Sequence, residues 1–168
     1  MRAVSVALLA LPGTLGVQVA AESTALAACP SEYWYDITSS SSYHIPASGQ
    51  YFKDGPGGSM TASVTYSSTI GASGTVSAGA SVSGIVAEAK IEVSATISTS
   101  QTITIGHTYT HTITAGKYGN MQYGSWGYKL SWDYWHDNSN CTSTKLSSGT
   151  NFLAPTSAVG WRYWETSS

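Results

Sequence analysis

Residues 59–115 alternate apolar and polar side chains over more than fifty positions, and this pattern constrains the fold more than any other feature. From Met60 to Val82 the even positions are mostly apolar, and the odd positions are Ser, Thr or Gly. From Ile91 to Ala115 the odd positions are the mostly apolar set. Alternation with period two predicts strands with one buried and one solvated face.

The change of parity near the centre is what an antiparallel hairpin with an even-numbered turn requires. If the residue numbers of cross-strand partners add up to about 175, Val82 faces Val93 and the turn falls near Ala87 and Glu88. Each arm has about 25 residues and a length of about 80 Å, against about 5–6 residues for an ordinary strand. The sequence therefore predicts an all-β fold, an elongated antiparallel sheet or sandwich built around one long Ser/Thr-rich amphipathic hairpin.

Such a long hairpin can take one of two forms. It is either bent along a rod-shaped molecule or broken into two stacked sheets by bulges at Gly71, Gly74 and Gly79. Its predicted apolar face consists of Val64, Tyr66, Ile70, Val76, Val82, Val93, Ile97, Ile103 and Ile105. Its predicted tip, which holds the only charges of the segment, consists of Ile85, Val86, Glu88, Lys90 and Glu92.

Residues 1–27 have the composition of a signal peptide. Arg2 gives a positive start, an apolar stretch follows, and Ala25-Leu26-Ala27 resembles a cleavage site. The mature chain is then expected to begin at Ala28 and to be a secreted, extracellular bacterial protein. No stretch of the sequence approaches the roughly 20 consecutive apolar residues of a membrane-spanning helix.

The two cysteines leave two alternatives for Cys29. An even number of cysteines in an exported chain predicts a disulfide between Cys29 and Cys141. That bridge would close a loop of more than a hundred residues, which is worth about 4–5 kcal/mol in the chain-entropy model. The alternative is a lipid anchor, since Leu26-Ala27-Ala28-Cys29 matches a bacterial lipidation box. Three polar residues separate this box from the apolar stretch, so the disulfide is favoured.

The length of residues 28–168 predicts one elongated β-domain, in which residues 59–115 form the hairpin and residues 28–50 and 118–168 form an aromatic-rich part. Only 10% of the residues are charged, and the formal net charge is −2. Without clusters of Lys and Arg, a nucleic-acid partner is excluded. The six tryptophans and eleven tyrosines argue against a disordered chain.

Every tryptophan lies outside the hairpin. The even positions between residues 126 and 134 are large and share one face of a predicted strand, whereas Lys129, Ser131 and Asp133 fall on the other. These aromatic residues form either the core or a platform for a carbohydrate or a membrane interface. The candidate ligand-binding aromatics are Trp126, Tyr128, Trp132, Tyr134, Trp161 and Trp164.

No pattern in the sequence indicates catalysis. His107 and His111 share a strand face, but side chains four residues apart on a strand are separated by about 13 Å, too far to hold one metal ion. We expect them to pack across strands. Residues 55–58, Gly-Pro-Gly-Gly, lack the Lys-Ser or Lys-Thr ending of a phosphate-binding loop and are expected to form a turn. The sequence therefore predicts a non-enzymatic protein without a cofactor or metal.

The alternating segment and the residues after it resemble a known family. A long Ser/Thr-alternating segment, a short apolar and charged centre, and a second alternating segment are followed by Ile113-Thr114-Ala115-Gly116-Lys117 and an aromatic strand. This order is similar to the pore-forming module of aerolysin-type toxins, especially the epsilon-toxin and mosquitocidal-toxin branch. The resemblance covers residues 59–135, with Ala115 standing where the family tends to have proline.

The resemblance implies that copies of the chain oligomerise and insert the hairpin into a target membrane, where the hairpins close into a barrel. Lipid-facing and lumen-facing strand positions also need one apolar and one hydroxylated face. A weaker resemblance is to small exported adapter subunits of bacterial toxin particles, which would bind co-secreted proteins by adding a strand from residues 28–50 to a partner's sheet. A third interpretation is a surface-coat protein that assembles through its long uncharged strands.

Overall fold

A computed structural model describes residues 29–168 of the chain. The predicted signal peptide, residues 1–27, lies outside the described residues. The described part forms antiparallel sheets with one short helix, so the predicted all-β class is confirmed. In chain order the elements are β1 (Tyr33–Asp54), β2 (Gly58–Ser63), β3 (Ser68–Gly71), α1 (Val82–Glu92), β4 (Ser100–Ile103), β5 (Thr108–Ile113), β6 (Tyr118–Asp137), β7 (Ser143–Ala154) and β8 (Val159–Thr166).

A sheet centred on β6 forms the framework. β6 has 20 residues and pairs with β1 from one end to the other, with Tyr33 opposite His136 and Asp54 opposite Gly119. The other edge of β6 pairs with β8 in its first half and with β7 in its second half. At roughly 3.3 Å per residue, β6 is about 65 Å long. It is therefore long enough to support two separate packing sites.

The regular alternation of β6 gives this sheet two distinct faces. In the first half of β6, the odd residues Met121 and Tyr123 are buried under β2, β3, β4 and β5. In the second half, the even residues Leu130 and Trp132 are buried with α1. The bulges of the sheet lie in β1 and β7, so alternation along β6 is unbroken and odd and even residues point to opposite faces. The short strands and α1 therefore cover opposite faces, at opposite ends of β6.

The outer parts of the alternating segment, residues 58–72 and 99–113, form its base. In this base β2 pairs with β5 and β3 pairs with β4, and in both ladders the partner numbers add up to 171, as in 58 with 113 and 68 with 103. The predicted sum of about 175 was wrong. Any odd sum keeps the two apolar faces on the same side, so the alternation could not choose among registers.

The centre of the segment, residues 73–97, contains a helix instead of the predicted turn. All five residues of the predicted tip lie in α1. The Ser81 side chain caps the helix by accepting a hydrogen bond from the Gly84 N–H at 3.1 Å. Ile85, Val86 and Ala89 recur at helical spacing and are buried. The single long hairpin is therefore not found. Of the two predicted forms, the structure is closer to the hairpin broken at glycines, because β3 ends at Gly71.

A disulfide joins two segments that are far apart in sequence and lie at the same end of the sheet. Cys29 is bonded to Cys141, which is 112 residues later in the turn between β6 and β7. The predicted pairing is confirmed. Because the Cys29 sulfur is used in this bond, the lipidation alternative is not supported.

Candidate functional site

The base of the alternating segment keeps its apolar face inside. The side chains buried against β6 and β8 include Met60, Ala62, Ile70, Ile103 and Ile113. The hydroxylated face points outward, where the Thr61 and Thr110 hydroxyls hydrogen-bond across the β2–β5 ladder at 2.8 Å. Between the two ladders the Val64 N–H donates to the His107 carbonyl oxygen at 3.0 Å. The base is thus an almost continuous amphipathic ladder.

Beyond Ala72 the two arms separate. The Ala72 N–H still donates to the Thr99 carbonyl oxygen at 2.7 Å, but the next residue, Ser73, pairs with Leu153, and Ile97 pairs with Thr156. These partners lie at the edge of the sheet where β7 ends and β8 has not yet begun. Because the base and α1 cover opposite faces, the centre passes around this edge.

α1 is held by a core cluster that it shares with β6 and β7. The buried members of this cluster are Ile85, Val86, Ala89, Ile97, Leu130, Trp132, Phe152 and Ala154. Gly84 approaches Tyr35 of β1 so closely that an added Cβ would overlap the tyrosine ring. The Tyr35 hydroxyl oxygen also accepts a hydrogen bond from the Ser81 N–H at 2.8 Å. Tyr35 therefore fixes the first turn of α1 against the sheet.

The remaining surface of α1 carries charges and an exposed isoleucine. Ile91 is 80% exposed. Burial raises the pKa of Glu88, and the nearby carboxylates of Glu92 and Asp36 raise it further. Glu92 Oε2 accepts a hydrogen bond from the Ile37 N–H at 3.4 Å. The docked helix therefore places Glu88 near the Asp36 carboxylate of β1, and this contact opposes docking when both groups are ionised.

Two buried polar side chains on the contacting strands β1 and β3 have no hydrogen-bond partner among residues 29–168. Gln50 is 1% exposed, and both polar atoms of its amide are unpaired. The Ser68 hydroxyl is the second such group. A buried polar group without a partner costs about 1–3 kcal/mol. The packing around the base therefore contains a polar defect.

The predicted apolar face is divided among three environments. The buried members are Val64, Ile70, Ile97 and Ile103. The members that pack partly buried against the α1 cluster are Val76, Val82 and Val93. The exposed members are Tyr66 and Ile105. In the predicted tip, Ile85 and Val86 are buried, whereas Glu88, Lys90 and Glu92 lie on the outer side of α1.

The candidate ligand-binding aromatics are also divided. Trp132 is buried, and Tyr128 and Tyr134 pack against the α1 cluster. Trp161 packs against the base. These four contribute to the core. Trp126 is 45% exposed and shares with the half-buried Trp164 the face of the sheet that the base does not cover.

The two histidines of the alternating segment contact aromatic rings. His107 lies 5.5 Å from Tyr123, measured between ring centroids, and His111 stacks on Tyr163 at 3.7 Å. Across residues 29–168 there is no group of three or more His, Cys, Asp or Glu side chains placed to hold a metal ion. In the same part of the chain no helix is long and apolar enough to cross a bilayer.

Comparisons with known proteins identify no relative. No protein-family model matches the chain, and no curated protein or solved structure shows significant similarity to it. The resemblance to aerolysin-type toxins therefore stays a prediction.

The sequence does contain the signal that would have found α1. Ser81 is a good N-cap residue, and Ile85, Val86 and Ala89 follow at the spacing of one helix face. This short helical pattern lies inside a much longer alternating pattern, which predicts strands and a turn for the same residues.

Proposed function

We propose that the mature chain is a secreted, non-enzymatic pore-forming protein of the aerolysin-like type, which oligomerises and inserts residues 59–115 into a target membrane as a β-hairpin. The observation that carries the proposal is the register of the base. Both ladders have partner numbers that add up to 171, so they already form the two ends of one hairpin.

Continuing this register through the centre gives a complete amphipathic hairpin. With the same sum, Val82 would face Ala89 and Ala80 would face Ile91, and the turn would fall at Ile85 and Val86. All of these residues lie on the apolar face or at the turn, whereas Lys90 and Glu92 fall on the hydroxylated face. Insertion would therefore require release of residues 59–115 from the sheet but no change in the pairing of the base.

The contacts of the segment are consistent with a releasable element. The apolar face is stored against the sheet and the α1 cluster, where lipid could replace the protein contacts. The ionised carboxyl groups of Glu88 in α1 and Asp36 in β1 oppose docking of the helix, and Gln50 is buried without a partner among the described residues. These features lower the free energy needed for release.

The proposal is tested by exchanging two neighbouring residues. Lys90 and Ile91 are both exposed on α1, so the double variant Lys90→Ile, Ile91→Lys keeps the composition and leaves the soluble fold intact. In the hairpin the exchange moves the cation to the lipid-facing side, about five residues from the turn and near the bilayer midplane. A lysine there costs about 2–4 kcal/mol per hairpin. We expect loss of dye release from liposomes with an unchanged urea midpoint.

The matched control exchanges Lys90 and Glu92, which lie on the same face of the hairpin. This variant should release dye as the wild type does, because the charges stay on the lumen side. If the Lys90/Ile91 exchange releases dye as fast as the wild type does, residues 73–97 do not cross the membrane in this register and the proposal fails.

A second candidate function is an adapter subunit in a secreted toxin complex. The observation that favours it is the outer edge of β1, which has 22 residues and pairs with no other strand of the described chain. Such an edge can accept a partner's strand. If wild-type protein releases no dye from any liposome or sensitive cell and binds a co-secreted protein tightly, this function replaces the first.

A further inference from the structure

The face of the sheet opposite the base is open in the first half of β6. The strands β1, β6 and β8 place aromatic and cationic side chains on it, and we call it the open aromatic face. Its main residues are Tyr51, Lys53, Tyr118, Trp126, Arg162 and Trp164. Tyr51 is 50% exposed and Trp126 is 45% exposed, so large rings point into solvent.

The cations of this face lie over its rings. Lys53 Nζ is 5.2 Å from the centre of the Tyr118 ring, and the Arg162 guanidinium is 5.2 Å from the centre of the Trp164 ring. The rings of Tyr51 and Trp164 are 6.0 Å apart. These contacts hold two positive charges within one aromatic surface.

No Asp or Glu side chain belongs to the open aromatic face in the described chain. Asp54 and Glu165, the nearest acidic residues in sequence, follow Lys53 and Trp164 and therefore alternate to the other face. Glu165 confirms this direction, because its Oε1 accepts a hydrogen bond from the Thr114 N–H at 2.9 Å, on the side of the base. The open aromatic face is thus positively charged, although the whole chain has a formal net charge of −2.

The buried amide of this face, Asn120, is occupied. Asn120 Oδ1 accepts a hydrogen bond from the Tyr51 hydroxyl at 2.7 Å, and its amide nitrogen donates to the Tyr118 and Trp164 carbonyl oxygens at 3.3 and 3.4 Å. Recognition of a sugar needs free polar groups arranged around a ring, and the Asn120 amide is engaged within the protein. An exposed set of Trp, Tyr, Lys and Arg side chains is instead typical of residues that lie at a membrane–water interface.

We propose that the open aromatic face binds the surface of bilayers that contain anionic lipids, with Trp126, Tyr51 and Trp164 in the interfacial layer and Lys53 and Arg162 against acidic headgroups. The inference deepens the proposed function, on which it rests for its role, by naming the surface that contacts the membrane first. Each cation near an anionic bilayer is worth about 1 kcal/mol. Lys53 and Arg162 together are therefore expected to increase the affinity for an anionic bilayer about 30-fold.

The test measures binding and release separately. Mature protein is sedimented with vesicles of phosphatidylcholine alone and with vesicles that contain about one third phosphatidylserine. We expect much tighter binding to the anionic vesicles, and about 30-fold weaker binding for the double variant Lys53→Gln, Arg162→Gln. The control Lys129→Gln, Lys145→Gln removes the same charge from the second half of the sheet, outside residues 59–115, and should bind nearly as the wild type does. Urea midpoints verify that both variants fold.

Each outcome decides the inference. Equal losses in the two double variants, or equal binding to neutral and anionic vesicles, would overturn it. Binding to an immobilised acidic polysaccharide without binding to vesicles would also overturn it and would assign the face to a glycan. Protein that sediments with anionic vesicles but releases no dye would contradict the pore function and support this inference. Dye release from neutral vesicles would support the pore function and contradict this inference.

Discussion

The base and the centre of the alternating segment have the same sequence pattern but different structures. The base, residues 58–72 and 99–113, forms antiparallel ladders that lie flat against β6 and β8. The centre, residues 73–97, passes around the sheet edge and forms α1 on the opposite face. The apolar positions of the base include Ile, Val, Tyr and Met, whereas those of the centre are often Ala and Gly.

This difference shows that alternation alone does not determine a strand. β-Branched and aromatic residues favour strands, and Ala favours a helix. Near the middle of the segment the strand preference is weak, so a capping serine and one apolar helix face are sufficient to form α1. The comparison predicts that the centre can be loosened while the base stays folded, and four changes test this prediction.

The largest effect is expected from Trp132→Ala. Trp132 is 1% exposed beneath α1, and truncation of a buried tryptophan costs about 3–5 kcal/mol. We expect a lower urea midpoint and rapid elastase cleavage within residues 73–97. Tyr123→Ala, which removes a buried ring beneath the base, is the matched variant and should move cleavage to β3 or β4. The same cleavage site in both variants would show that base and centre unfold together.

Gly84→Ala should destabilise the protein although alanine favours helices. The added Cβ would overlap the Tyr35 ring, and overpacking of this kind costs about 1–3 kcal/mol. Urea denaturation of the Gly84→Ala and Tyr35→Ala single variants and of the double variant measures the coupling between the two residues. Gly84→Ala is expected to cost less stability in the Tyr35→Ala background than in the wild type, and an increase of stability in the Gly84→Ala single variant would mean that Gly84 does not touch the sheet.

Ser81→Ala should cost about 1 kcal/mol, because the Gly84 N–H at the start of α1 loses its acceptor. Hydrogen exchange should accelerate in α1 and stay unchanged in β5. Ser83→Ala is the control, since the Ser83 hydroxyl contacts only the Ser81 hydroxyl among the side-chain hydrogen bonds of the described residues. Faster exchange in β5 would argue against separate stability of the base.

Acidification should act in opposite directions on the two regions. Glu88 in the centre has a raised pKa in the fold, so its contribution to stability is greatest below its ordinary pKa near 4.5 and is lost as pH rises through the folded value. Hydrogen bonds from the Thr114 N–H and the Tyr163 hydroxyl hold the pKa of Glu165, at the base, below its ordinary value. The stability that Glu165 contributes is present above the ordinary pKa and is lost as pH falls.

Two neutral variants measure these effects. At pH 7 the Glu88→Gln variant should have a higher urea midpoint than the wild type, and the Glu165→Gln variant a lower one. At pH 3 the Glu88→Gln difference should vanish, because that carboxyl group is then protonated in both states, and the Glu165→Gln difference should shrink. Parallel shifts of the two variants at pH 7 would contradict the assigned directions.

The fold class, the disulfide and the faces of the strands were predictable from the sequence. Period-two alternation assigns Met60 and Ile113 to the same face for any odd sum of partner numbers. A chain with two cysteines can form only one intramolecular disulfide. The register was not predictable, because shifting the pairing of Ile70 from Ile105 to Gln101 keeps both apolar faces together.

The candidate site was only partly predictable for a similar reason. The tryptophans at 126 and 132 lie on the same strand face, yet one is exposed and the other buried, because α1 covers only the second half of β6. The partners of Trp164 on the open aromatic face come from β1 and β6, which are distant in sequence. Only the pairing of three strands brings Tyr51, Arg162 and Trp164 together.

The pairing of β1 with β6 also has a consequence for synthesis of the chain. β1 is complete by Asp54, but its partner does not begin until Tyr118, so a long strand leaves the ribosome well before anything can pair with it. An unpaired strand of this length invites association with other nascent chains. The run Ser39 to Ser42 in its middle interrupts the apolar pattern. A polar interruption of this kind lowers the aggregation tendency of a strand that is exposed before its partner is available.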